Sequence, residues 1–186
     1  MPPRVAPGPH VALIRGINVG RAKRVAMADL RRLVADLGYH DVRTLLNSGN
    51  VLFTVGASSR GEPAVRIERA LGSELGVSAR VTVLSAPELQ AVVDGNPLVV
   101  AERDPSRLLV SVLTDPADRA RLLPLMRRRW APEAVAVGER VCYLWCPGGI
   151  LASPLGQAVG RLLGDATTAR NWATISKLHA LVRAER

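Results

Sequence analysis

The chain has 186 residues, 48% of them hydrophobic and 22% charged, with a formal net charge of +9 and a pI near 11.1. That is enough apolar matter for a core and excludes wholesale disorder. No apolar run approaches the roughly 18 residues of a membrane-spanning helix, and residues 1–9, rich in proline, lack the apolar stretch of a signal peptide and read as a flexible lead-in.

The segment His10-Val-Ala-Leu-Ile-Arg-Gly-Ile-Asn is too short an apolar run for a helix and predicts a buried strand. After a polar loop, Met27, Leu30, Leu33, Val34 and Leu37 recur at helical spacing, with Gly38 placed to end the helix. Val42-Arg-Thr-Leu-Leu and Val51-Leu-Phe-Thr-Val read as strands joined by a hairpin turn at Asn47-Ser-Gly-Asn. Ala64, Ile67, Leu71 and Leu75 mark a second helix, with Pro63 in its first turn and Gly76 past its end. Alternation from Val77 to Val83 predicts a fourth strand, and Ser85-Ala-Pro-Glu88 has the form of a capping box opening a helix to about Asp94. The order β-α-β-β-α-β is the ferredoxin-like, split βαβ pattern.

Beyond Gly95-Asn-Pro the plan repeats. Leu108–Leu113 reads as a strand, and Asp115-Pro116 caps a helix to about Arg129 that Pro124 kinks or shortens. Ala134–Val137 and Val141–Trp145 read as strands, and Ser153-Pro154 opens a helix to about Gly164. Where the first half has its last strand, Thr168 to Leu178 reads as a helix, with Trp172, Ile175 and Leu178 on one face. The expected fold is α+β: two ferredoxin-like (split βαβ) halves packed together, residues 10–94 and 95–186.

The 23 Arg and 2 Lys admit two readings. One is an anionic partner; the other is the Arg-rich usage of a GC-rich genome, with the arginines solvated. Cys142 and Cys146 lie along one strand, about 13 Å apart at ~3.3 Å per residue. That is too far for a disulfide, and a reducing cytoplasm fits them. No metal-binding spacing occurs. Aromatics are 3% of the chain, and Phe53 stands alone in its strand, which disfavours an RNA-recognition motif.

Three polar stretches could carry chemistry. Arg15, Asn18, Arg21, Lys23 and Arg24 fall between a strand and a helix start, a setting that suits an anion; the alternative is a glycine-containing loop with solvated arginines. Asn47, Ser48 and Asn50 surround Gly49, either as turn chemistry or as a polar ligand patch. Read as a helix capped by Thr168, the third stretch puts Arg170 in the first turn, against the dipole, and aligns it with Thr174 and Lys177 beside Asn171. The alternatives there are an anionic ligand or a salt bridge to an acidic group.

These stretches carry a resemblance. Ala12-Leu-Ile-Arg-Gly-Ile-Asn-Val-Gly, Met27-Ala-Asp-Leu-Arg, Leu37-Gly-Tyr-His-Asp-Val-Arg-Thr, Asn47-Ser-Gly-Asn-Val-Leu-Phe and Thr168-Ala-Arg-Asn-Trp-Ala-Thr-Ile-Ser-Lys-Leu resemble the bacterial family called domain of unknown function 1697. The resemblance implies two ferredoxin-like halves and no established activity. The family pattern usually has Gly in place of Arg21, Pro in place of Ala26 and Gln in place of Asn47.

The expectation is a cytoplasmic protein that binds a phosphate-bearing anion, a small molecule or nucleic acid, with no membrane partner. The ligand-binding residues would be Arg15, Asn18, Lys23, Asn47, Ser48, Asn50, Arg170, Asn171, Thr174 and Lys177, with Arg15 and Arg170 sharing one cleft. The alternatives are an enzyme acting on a small polar metabolite and a structural or protein-interaction module. The sequence assigns no catalytic residue, cofactor, metal or oligomeric state.

Overall fold

The computed structural model describes residues 5–19 and 24–184. They form two compact units, one running to Leu89 with the segment from Ala180 added, the other Gln90–His179.

The first unit begins β1 (Gly8–Ile14), α1 (Met27–Asp36), β2 (His40–Leu45), β3 (Asn50–Val55), α2 (Pro63–Leu75), β4 (Val81–Ser85), and α3 (Ala86–Asp94) follows. Its sheet has the order β2-β3-β1-β4, every neighbour antiparallel. The second sequence of elements is β5 (Leu108–Leu113), a 3₁₀ turn (Pro116–Leu122), α4 (Leu123–Met126), β6 (Ala134–Val137), β7 (Val141–Trp145), α5 (Pro154–Leu163), β8 (Thr167–Asn171) and α6 (Trp172–Ala184). Its sheet has the order β6-β7-β5-β8, again antiparallel throughout. In each sheet the first crossover leaves a slot beside the first strand, and the third strand fills it. Both are therefore ferredoxin-like, and the fold is α+β.

Periodicity explains the cores. Leu30, Leu33 and Val34 of α1 and Ile67, Ala70 and Leu71 of α2 pack on Ala12, Ile14, Val51 and Phe53 of the first sheet. Burying each large apolar side chain contributes about 1.5–3 kcal/mol. Val11, Leu13, Leu52 and Leu84, on the opposite face, are buried as well, which is why Val11–Ile14 and Val51–Phe53 are unbroken apolar runs. In the second unit Leu155, Ala158, Val159 and Leu163 of α5 pack with Leu113, Cys142 and Leu144. Cys142 and Cys146 are free and buried.

Terminal chemistry fixes the helix ends. Pro63 opens α2, and Gly76 closes it in the left-handed conformation. Ser85 Oγ and the Glu88 carboxylate form the expected capping box of α3. At α5, Ser153 Oγ accepts from the Gly156 N–H and the Glu133 carboxylate accepts from the Leu155 N–H.

Three expectations are corrected. The fourth strand starts at Val81, because the Val77 N–H bonds back to the Leu71 carbonyl at the end of α2 and Val77 is buried there. The helix expected from Asp115 to Arg129 is a 3₁₀ turn followed by one short helical turn, with Pro124 inside it. Most importantly, the stretch from Thr168 does not open a helix: Thr167–Asn171 is β8, paired with β5, and the helix begins at Trp172. The internal duplication is thus more complete than the sequence suggests, each sheet ending in a strand that runs directly into a helix.

Candidate anion-binding site

The first polar stretch leaves β1 at Ile14. The Ile14 N–H donates to the Gly49 carbonyl and the Arg15 N–H to the Arg80 carbonyl, both at 2.8 Å, so the end of β1 is held between the β2–β3 turn and the residue before β4. Arg15 is half-buried. Ile17 is 1% exposed and packs under the turn. A Cβ added at Gly49, whose φ is +77°, would stand 2.8 Å from Ile17 Cδ1 and 3.0 Å from Ile14 Cβ. The turn glycine therefore serves both a left-handed backbone and a close approach.

Asn18 organises the loop. It sits in the left-handed region at φ 56°, which asparagine tolerates better than most residues. Its Nδ2 donates to the carbonyls of Val25 and Asn47, and its Oδ1 accepts from the Val25 N–H, each at 2.9 Å. One side chain thus joins Asn18 to Val25 and ties both to the hairpin turn. Two of the three polar stretches come together in this way.

Within the turn, Asn50 is fully buried, its Nδ2 donating to the Leu45 carbonyl at 3.0 Å and to Ser48 Oγ at 2.9 Å. Its amide fixes the turn from inside rather than facing outward. Asn47 and Ser48 are exposed. Lys23 lies outside the described residues, as does Arg21.

A cleft of about 280 Å³ opens beside this cluster, lined by Asn18, Arg24, Val25, Ala26, Met27 and Asn47. It lies at the start of α1, whose N-cap residue, Ala26, has no side chain able to cap the first-turn N–H groups. Arg24 is exposed at this cleft. Asp29, also in the first turn, is paired with Arg32 at 2.9 Å. Arg24 was legible only as part of a basic run; its adjacency to an uncapped helix start is what distinguishes it.

The third stretch lies in the second unit and is built differently from expectation. Arg170 is on β8, opposite Val110 of β5, and not in the first turn of a helix whose dipole would oppose its charge. Its Nη1 donates to the Ala169 carbonyl at 2.8 Å, and burial lowers its pKa to about 10. It stays protonated at neutral pH, but as a desolvated cation. Thr168 is a strand residue, and the cap of α6 is Asn171, whose Oδ1 accepts from the Thr174 N–H at 2.9 Å. Thr174 is buried and Lys177 exposed. Arg170, Thr174 and Lys177 therefore share no single helical face.

Among the described residues no group of three His, Cys, Asp or Glu side chains could hold a metal ion, and no helix is long and apolar enough to cross a membrane.

No curated protein matches the chain. A solved structure does: that of the conserved bacterial protein SP0830 from Streptococcus pneumoniae, with TM-score 0.76 and 22% identity over 96% of this chain and 99% of that one. At that identity the likeness is one of fold. Residues 8–143 match a family model described as protein of unknown function (DUF1697). The match takes in β1 and its exit loop, the hairpin turn and all the elements up to Tyr143, and on that span the chain belongs to the DUF1697 family.

Proposed function

We propose that the protein binds a phosphate-bearing anion in the cleft at the start of α1. The observation that carries this reading is the meeting of an uncapped helix N-terminus with Arg24 in a cavity whose wall is fixed by Asn18. First-turn N–H groups left unbonded by the cap residue favour negative charge, and Arg24 adds an exposed cation. Arg15, which follows β1, adds a further positive charge to the same exit loop. Asn18 acts as a fixture of the wall and Asn50 fixes the adjoining turn with Ser48, while the exposed Asn47 is the turn side chain a ligand meets in the cleft. The free thiols fit a reducing cytoplasm.

Calorimetric titration with a nucleoside monophosphate and with a short single-stranded oligonucleotide tests the reading. Binding should be weakened at least tenfold in Arg24→Glu, and oligonucleotide binding should fall steeply with added salt. Wild-type affinity in Arg24→Glu for both ligands would overturn it.

A further inference from the structure

We propose that the first unit carries a second anion site, for a phosphomonoester, at the other end of α1. A cleft of about 350 Å³ opens there, between the start of β2 and the loop joining β3 to α2, with His40, Ser58, Ser59, Arg60 and Arg66 in its lining and no carboxylate among the residues that form it. The volume falls at the lower end of small-molecule sites.

Arg66 is the fixed element. Its Nη2 donates to the Leu37 carbonyl at 2.5 Å and its Nη1 to the Tyr39 hydroxyl at 3.2 Å, while its guanidinium stands 5.0 Å from the centre of the Tyr39 ring. The backbone oxygen it binds belongs to the residue that ends α1. Arg66 thereby offsets the negative end of that helix, which otherwise repels an anion. It is half-buried, and among the described residues no carboxylate lies within salt-bridge distance of it. A partly desolvated guanidinium held only by neutral groups keeps a strong preference for an anion. Glu62 is the acidic residue whose charge is felt at Tyr39, and it does not line the cleft.

The remaining donors surround this anchor. Arg60 is exposed and makes no ion pair among the described residues. Ser58 and Ser59 sit in a turn closed by the Ser59 N–H donating to the Gly56 carbonyl at 3.0 Å. His40 begins β2 opposite Thr54, and a Cβ added at Gly56 would lie 3.7 Å from its Nε2, so backbone alone adjoins the imidazole there. Two guanidinium groups, an imidazole and two hydroxyls match the three terminal oxygens of a phosphomonoester. A ten-residue helix separates this cleft from the one at the start of α1, about 15 Å at 1.5 Å per residue, so one phosphate cannot occupy both.

The test is an amide chemical-shift titration of the full chain with inorganic phosphate, against sodium chloride at matched ionic strength. Saturable shifts are expected at Ser58–Gly61. They should weaken at least tenfold in Arg60→Ala and in His40→Ala, both exposed substitutions that leave the core untouched. Glycerol phosphate should bind more tightly than inorganic phosphate. The amides of Asn18, Val25 and Met27 report the first cleft separately, so failure of either site is distinguishable from failure of the other. Absence of shifts at Ser58–Gly61, their reproduction by chloride, or glycerol phosphate binding no tighter than inorganic phosphate would overturn the assignment.

Discussion

Arg170 occupies in β8 the position that Leu84 occupies in β4. Leu84 pairs with Val11 of β1, Arg170 with Val110 of β5, and each directly precedes the residue that caps the following helix, Ser85 or Asn171. Leu84 is 1% exposed. A cation thus stands where the sister half buries a leucine, and burial depresses its pKa to about 10.

Arg170→Ala is expected to lower stability by about 1–3 kcal/mol, because the groups it hydrogen-bonds lose their donor. Arg170→Leu should still fold, since the sister strand accommodates leucine there. Urea unfolding of both variants without ligand checks this. Unchanged midpoints would show that Arg170 is not a structural clamp.

Asn18→Ala should cost about 1–3 kcal/mol, because two backbone carbonyls and one N–H lose their partner and alanine is strained at positive φ. Asn18→Gly relieves the strain but not the lost bonds, so it should fall between the two. Asn18→Asp should also be destabilised, since a carboxylate cannot donate to Val25 and Asn47. Denaturant midpoints for the three variants separate backbone from hydrogen bonding.

Leu46 lies next to Asn47 in the left-handed region at φ 59°, with 53% of its surface exposed. Leucine there carries strain of about 1–2 kcal/mol, and its exposed side chain gains little in return. Leu46→Asn is therefore expected to stabilise the protein by about 0.5–1 kcal/mol. Thermal unfolding showing a lower midpoint would contradict this.

Alkaline titration should expose the buried acids. The Tyr143 hydroxyl donates to the Val92 carbonyl at 2.8 Å, and burial pushes its pKa up to about 12. Burial likewise raises the Cys142 thiol to about 12. These folded values lie above the unfolded ones, so the stability they contribute is fully present below about pH 9–10 and is lost as pH rises towards 12. Arg170 works in the opposite sense, since its folded pKa lies below the unfolded value and its share of the cost of burial fades above about pH 10. Tyrosinate absorbance should therefore develop late in the native protein, and Tyr143→Phe should unfold at higher pH than wild type. Both thiols should resist alkylation near pH 8 until denaturant is added.

The strands and helices with a strong period were legible in the sequence, down to the capping box at Ser85 and the proline and glycine that bracket α2. β8 was hidden because it is five residues long, includes Arg170 and Asn171, and enters α6 with no intervening turn, so the period of Trp172, Ile175 and Leu178 extends back over it. Thr167 and Thr168 were its one β-forming signal. At the candidate site the sequence marked Asn18 and Asn50 as important but not their direction. Asn18 bonds a carbonyl 29 positions away, and no local pattern encodes that partner. The cleft at Arg66 was missed for a similar reason: His40, Ser59 and Arg66 belong to three different segments that only the chain's return past α1 assembles.

The two junctions at which a strand becomes a helix without a linker, Ser85 to Ala86 and Asn171 to Trp172, bear on how this chain can vary in length. One residue inserted at either point would turn the helix by about 100° and advance it by about 1.5 Å. Leu89 and Val92 in α3, or Ile175 and Leu178 in α6, would swing out of the positions where they are now buried. Length variation should accordingly be tolerated in the exposed segment Val99–Glu102 and rejected at these two peptide bonds, which fix the helices in phase with the sheets.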